Sequence, residues 1–150
     1  MSKTFAASVK DWADRTKAAQ DDVLRSSVED VMALASASQD SYKTRTGPAQ
    51  QGLIPVDTGH LRNTIASELN GAGEFAIDAE NNVALTINDM QAGDYLHIAW
   101  TAAYAHRINS GFSGTDSAGR TYNQPGVHWV ERAADGWGEI VRTNAEYLKP

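Results

Sequence analysis

The chain has 150 residues, 41% of them hydrophobic and 21% charged, which fits one globular domain and excludes a disordered segment. It contains no cysteine, so a disulfide framework, a thiolate nucleophile and a cysteine-based zinc site are excluded. The formal charge of −6 falls mainly on residues 47–125, with three basic against eight acidic groups; without a basic stripe, sequence-specific binding of nucleic acid is disfavoured.

The N-terminus, MSKTFAASVKDW, lacks a signal peptide's apolar stretch, and no run matches a membrane span; synthesis in the cytoplasm is expected. Residues 1–46 contain neither Gly nor Pro. Phe5, Val9, Trp12, Ala19, Val23, Val28, Val31, Met32 and Ala35 recur at helical spacing, with Ser2 or Thr4 as cap. A helix over residues 4–41 would be about 57 Å long at ~1.5 Å per residue. A domain of this size cannot cover it, so part must project, bend or pack on another chain.

Gly47 and Pro48 end that run, and a loop extends to Leu53. The stretch LIPVDTGHLRNTIASEL, residues 53–69, reads as the start of a short helix over 58–69. Pro55 keeps Ile54 extended, Asp57 or Thr58 caps the first free amides, and Gly59 leaves room for a tight turn. Leu61 and Ile65 form its buried face, and Arg62 points outward. Asn70, Gly71, Ala72 and Gly73 close it.

FAIDA and VALTIN read as a hairpin around Glu80, Asn81 and Asn82. YLHIAWT reads as a third strand with Leu96, Ile98 and Trp100 on one face. AAYAHRINSG forms a helical turn ending at Gly111, and residues 112–124 form the longest irregular segment. After Pro125 and Gly126, an amphipathic helix over 127–148 carries Val130, Ala134, Trp137, Val141 and Leu148 on one stripe. Gly136 and Gly138 inside it predict a kink or a close approach of another element.

Chemical motifs are scarce. His60, His97, His106 and His128 have no i,i+4 pair, although Asp57, His60 and Asp116 could converge in space. There is no G-x-S-x-G elbow, and Asp57, Glu68 and Asp94 form no recognisable carboxylate pair. GFSGTDSAGR has a phosphate loop's glycines without its Lys-Ser/Thr ending or following helix. No catalysis, cofactor or metal is expected.

Pro55, Val56, Asp57, Thr58 and Gly59, then Leu61, Arg62 and Thr64, resemble the P-V-D-T-G-x-L-R-x-S/T signature of a phage neck family. These are the head–tail joining, or tail-completion, proteins of long-tailed bacteriophages. Tyr104 and Ala105 followed by Gly111, and Pro125 and Gly126 followed by Trp129, fall in the family's order, so the resemblance spans nearly the whole chain. Two features depart from it: HRINSG lacks the Glu that members often carry before the Gly, and no strand precedes the long helix.

The resemblance implies an α+β fold in which a small, mainly antiparallel sheet is flanked by a long N-terminal helix, a short helix and a C-terminal helix. It places a projecting helix within residues 1–46 and an α/β core within 53–150 of a single domain. It further implies a virion ring of six copies, with twelve as the alternative. The ring would sit between the head's portal and connector proteins and the tail terminator or tail tube, its acidic lumen letting genomic DNA pass. Pro55, Asp57, Thr58, Gly59, Leu61 and Arg62 would hold the fold. Trp12, Tyr104, Gly111, Phe112, Arg120 and Tyr122 would face neighbouring copies. A tail terminator or minor capsid protein is the alternative within the virion; a small metal-dependent hydrolase and a regulatory binding module are the alternatives outside it.

Overall fold

The computed structural model describes residues 4–41, 43–71 and 74–148. The fold is α+β, with a long N-terminal helix, a C-terminal helix and short strands between them. Helix α1 spans Phe5–Ala35, and the Thr4 side chain caps it by accepting from the Ala7 amide at 3.3 Å. Ser2, the other candidate cap, lies outside the described residues, as do residues 72–73 of the expected helix stop.

α1 ends at Ala35 rather than near 41 because the next residues are claimed by another chain segment. Strand β1, Ser38–Asp40, pairs in parallel with β2, Ile54–Val56. The Ile54 amide donates to the Ala37 carbonyl at 2.9 Å. The Gln39 side-chain amide donates to the Gln50 and Leu53 carbonyls at 2.8 and 2.7 Å, fastening the loop before β2.

The expected helix over 58–69 is one turn, α2 (His60–Asn63), followed by strand β3 (Ile65–Leu69). Thr64 breaks it: its backbone leaves the helical region, and its buried hydroxyl turns back to the His60 carbonyl at 2.5 Å. The β-branched residue after it then pairs with β4, Leu96–Trp100, in an antiparallel ladder. The expected FAIDA–VALTIN hairpin does not form. VALTIN is helical as α3, Val83–Asp89, with Asn82 capping the Leu85 amide at 3.2 Å. Val83 and Ile87 face the core at four-residue spacing while Leu85 is exposed, a pattern only a helix satisfies.

Helix α4 spans Ala105–Ser110 and stops at Gly111 as expected. The segment expected to be irregular is a hairpin of β5, Gly111–Thr115, and β6, Thr121–Pro125. Asp116 organises its tip by accepting from the Ala118 and Arg120 amides at 2.9 Å each, and Gly119 supplies the left-handed turn residue. Helix α5, Trp129–Tyr147, follows.

Two apolar clusters lie beneath these elements. Ile54, Leu61, Ala102, Ala105, Val127 and Trp129 form one, with the Trp100 ring edge-on to Trp129 at 6.0 Å. Val28, Ile87 and Met90 form the other, joined by Leu96 and Ile98 from β4. α5 therefore buries Trp129 and Ala133, whereas Val130 and Trp137 of the expected stripe are exposed and Val141 is half-buried.

α1 and α5 pack antiparallel. Gly136 lies against Leu34, and the Asn144 amide donates to Ser27 Oγ and Asp30 Oδ2 at 3.3 and 2.9 Å. In that register Tyr147 falls level with about residue 24 of α1. Arg25 and Asp21 then hold the loop after α3, through the Met90 carbonyl at 2.8 Å and the Ala92 amide at 2.7 Å. The remaining turns, residues 5–20, extend roughly 24 Å past that anchorage at ~1.5 Å per residue. Phe5 is 86% exposed there and Trp12 63%.

Candidate functional site

The quoted stretch after Leu53 sits at a cleft rather than in a helix. β2 delivers Pro55 to its wall, and the chain turns through Asp57, Thr58 and Gly59, whose φ of +85° is open to glycine at little strain. Of the two expected caps, only the Thr58 hydroxyl reaches an amide of α2. Asp57 pairs with Lys43 at 2.5 Å, and Thr58 Oγ1 accepts only the nearby His60 amide at 3.3 Å. Leu61 is buried in the core, and Arg62 reaches Ser38 Oγ at 3.3 Å. The motif thus ties β1 and the 43–46 turn to the core.

The cleft encloses about 920 Å³ between this turn, residues 41–49, α4 and the β5–β6 hairpin. Pro48, Leu61, Ile108 and Val127 give it apolar walls, and Tyr104, Phe112 and Tyr122 line it with rings. Arg107 stacks over Phe112, its guanidinium carbon 3.8 Å from the ring centroid, so the hairpin root is held by a cation–π contact. The Phe112 and Tyr122 rings lie 6.3 Å apart across the two strands.

At the hairpin tip Arg120 Nε bonds Asp116 Oδ2 at 2.8 Å, and the Tyr122 hydroxyl donates to the same oxygen at 3.1 Å. The Arg120 amide, outweighing burial, leads the donors that hold the Asp116 carboxyl below its ordinary range. Gly111 and Gly126 meet at the hairpin root. A Cβ on Gly111 would come within 2.8 Å of the Gln124 carbonyl oxygen and of the Gly126 amide nitrogen. Gly111 is there for backbone clearance.

Of the residues expected at an interface, the structure gathers Tyr104, Phe112 and Tyr122 at the cleft and places Gly111 and Arg120 on the same hairpin. Trp12 stands apart on the free end of α1. Asp57, His60 and Asp116 all line the cleft, yet each is engaged elsewhere; among the described residues no group of three His, Asp or Glu could hold a metal ion. His60 Nε2 lies 2.9 Å from Asp78 Oδ1, and its Nδ1 lies 3.3 Å from Thr64 Oγ1. That order imitates a nucleophile relay, but Thr64 is fully buried and its hydroxyl is committed to a carbonyl. The group locks the α2–β3 junction.

Sequence reasoning missed Asn109. Its buried side chain accepts the Val130 amide at 3.2 Å and donates to both carboxylate oxygens of Glu131 at 3.1 and 2.8 Å. It therefore joins the hairpin root to the start of α5. An Asn just before a glycine stop offers no sequence signal for a cap twenty residues away. Comparison with protein-family models, with curated proteins and with solved structures found no match. Among the described residues, no helix is long and apolar enough to cross a membrane.

Proposed function

We propose that this chain is a structural virion protein of the phage neck, assembling as a ring that joins the DNA-filled head to the tail tube. The observation that carries the reading is the free end of α1. Phe5, Val9 and Trp12 repeat at the spacing of a buried helix face, yet each is exposed in the single chain. An isolated subunit keeps that apolar surface in water; an assembled one can bury it. The hairpin is a second projecting element, its strand β6 exposed along its whole length.

Projection of two elements from one core suits a contact made head to tail between different surfaces, and such contacts close into cyclic rings. Six copies would match the symmetry of a tail. The acidic residues of the 47–125 region, if turned to the lumen, would keep DNA from adhering. In this reading the cleft serves protein contacts, and the chain performs no catalysis.

The test is deletion of the gene in its phage, followed by negative-stain microscopy of the lysate. Filled heads and finished tails lying unjoined are expected. Heads leaking DNA would move the protein to head closure, and overlong tails to tail termination. Normal infectious particles would refute the virion role.

A further inference from the structure

We propose that the free end of α1 from one copy lies along the outer face of α5 of the next. This deepens the ring reading and rests on it for the premise that copies meet head to tail. Both surfaces are already helical and both are largely uncovered, with Thr16 and Val141 half-buried at their ends. Phe5, Val9, Trp12 and Thr16 follow the i, i+4, i+7, i+11 spacing, and so do Val130, Ala134, Trp137 and Val141. Val130 is 43% exposed and Trp137 37%, although theirs is the most regular apolar stripe on α5. The core uses the neighbouring stripe of Trp129 and Ala133.

Continuity with the contact inside the chain supports the assignment. On a helix of ~3.6 residues per turn, Phe5, Val9, Trp12 and Thr16 share the side of α1 that carries Ser27, Asp30 and Leu34. That side is the one α5 covers further along. α1 therefore already packs against an α5 helix with this face, and its free end presents the same face past the point where its own α5 stops.

Charge selects the partner surface. The charges nearest the α1 stripe are Arg15 on one edge and Lys17 on the other; Asp11 lies further round beyond Arg15, and Asp14 is on the far side and paired to Lys10. Two such ends meeting each other would bring like charges together. The cleft is a poorer receptor: its carboxylates Asp57 and Asp116 are already paired with Lys43 and Arg120, and Arg45 and Arg107 also stand in its wall. The solvent-side edge of the α5 stripe carries Glu131, Asp135 and Arg142, and Arg142 is already neutralised by Glu139 and Glu146. An apolar stripe with basic edges faces one with an acidic edge.

The chain lacks native cysteine, so paired substitutions report the contact cleanly. Purified Val9→Cys and Ala134→Cys chains, mixed and oxidised, are expected to give a crosslinked dimer that neither forms alone. Trp12 is too exposed to support the fold, and Trp12→Glu is expected to weaken self-association by roughly tenfold or more in sedimentation, as for an aromatic anchor. A Val9→Cys homodimer, a crosslink to Tyr104→Cys at the cleft instead, or a wild-type chain that sediments as a monomer at its highest soluble concentration would each overturn the proposal. Crosslinking alongside normal particles after gene deletion would refute the neck role and keep this contact. Unjoined heads and tails without crosslinking would do the reverse.

Discussion

Replacing Asn109 with Ala separates the hairpin root from α5 while leaving both backbones in place. The Val130 amide loses its acceptor, a cap worth about 1 kcal/mol. Glu131 loses two donors, but its side chain is 53% exposed, so water restores much of that and the further loss is about 0.5–1 kcal/mol. Together they predict destabilisation of about 1.5–2 kcal/mol, or a Tm lower by roughly 3–8 °C for a chain of this size. Urea melts monitored by tryptophan fluorescence would read it as a lower midpoint with unchanged slope. The effect is also pH-dependent. Burial works to raise the Glu131 carboxyl, but the Asn109 bonds and His128 outweigh it and hold the group low. A carboxyl depressed by folding contributes fully above its unfolded range, and the contribution fades as pH falls through the folded value. The gap between wild type and variant should therefore narrow below about pH 4. A loss under about 0.5 kcal/mol at neutral pH would refute the capping assignment.

Asp57→Ala removes a half-exposed ion pair with Lys43 and should change stability by no more than about 0.5 kcal/mol, against the larger loss expected of a helix cap; a loss near 2 kcal/mol in the same melts would contradict the structure. Asp116→Ala should lower the hydrogen-exchange protection factors of the Ala118 and Arg120 amides, and acid below the carboxylate range should do the same to wild type relative to the intrinsic rate at that pH; unchanged protection would mean the tip is held by its strands alone. Gly138→Ala meets nothing within 4 Å and lies inside α5, so it should stabilise the dissociated Trp12→Glu chain by about 0.5–1 kcal/mol in thermal melts. A fall in Tm would show the site to be occupied.

The long helices, the strand at YLHIAWT and the helical turn ending at Gly111 were legible because their periodicity or stop signals agree with their tertiary role. VALTIN was not, since Val83, Leu85 and Ile87 alternate like a strand and only burial shows that Leu85 faces water. IASEL failed in the opposite direction: Leu61, Ile65 and Leu69 keep helical spacing, but pairing with β4 overrides it. The α5 stripe was legible as a period, while the core uses the neighbouring stripe of Trp129 and Ala133, because periodicity marks apolar faces without saying what covers them. At the site, Tyr104, Phe112 and Tyr122 were singled out in the sequence, and the structure brings them to one cleft. Asn109 depends on partners in α5 that no local pattern names, whereas the Asp116 tip, whose partners all lie within six residues, was read only as part of an irregular segment.

The anchorage of α1 through Asp21 and Arg25 makes its free end a lever with a fulcrum. Over the roughly 24 Å from that fulcrum to Phe5, a tilt of about 5° displaces the tip by about 2 Å while the core stays still. In the proposed ring, every joint would have to absorb small errors of angle, and this geometry would give each subunit a place to take them up. Shortening the lever would leave each subunit's core unchanged and make the closure less forgiving.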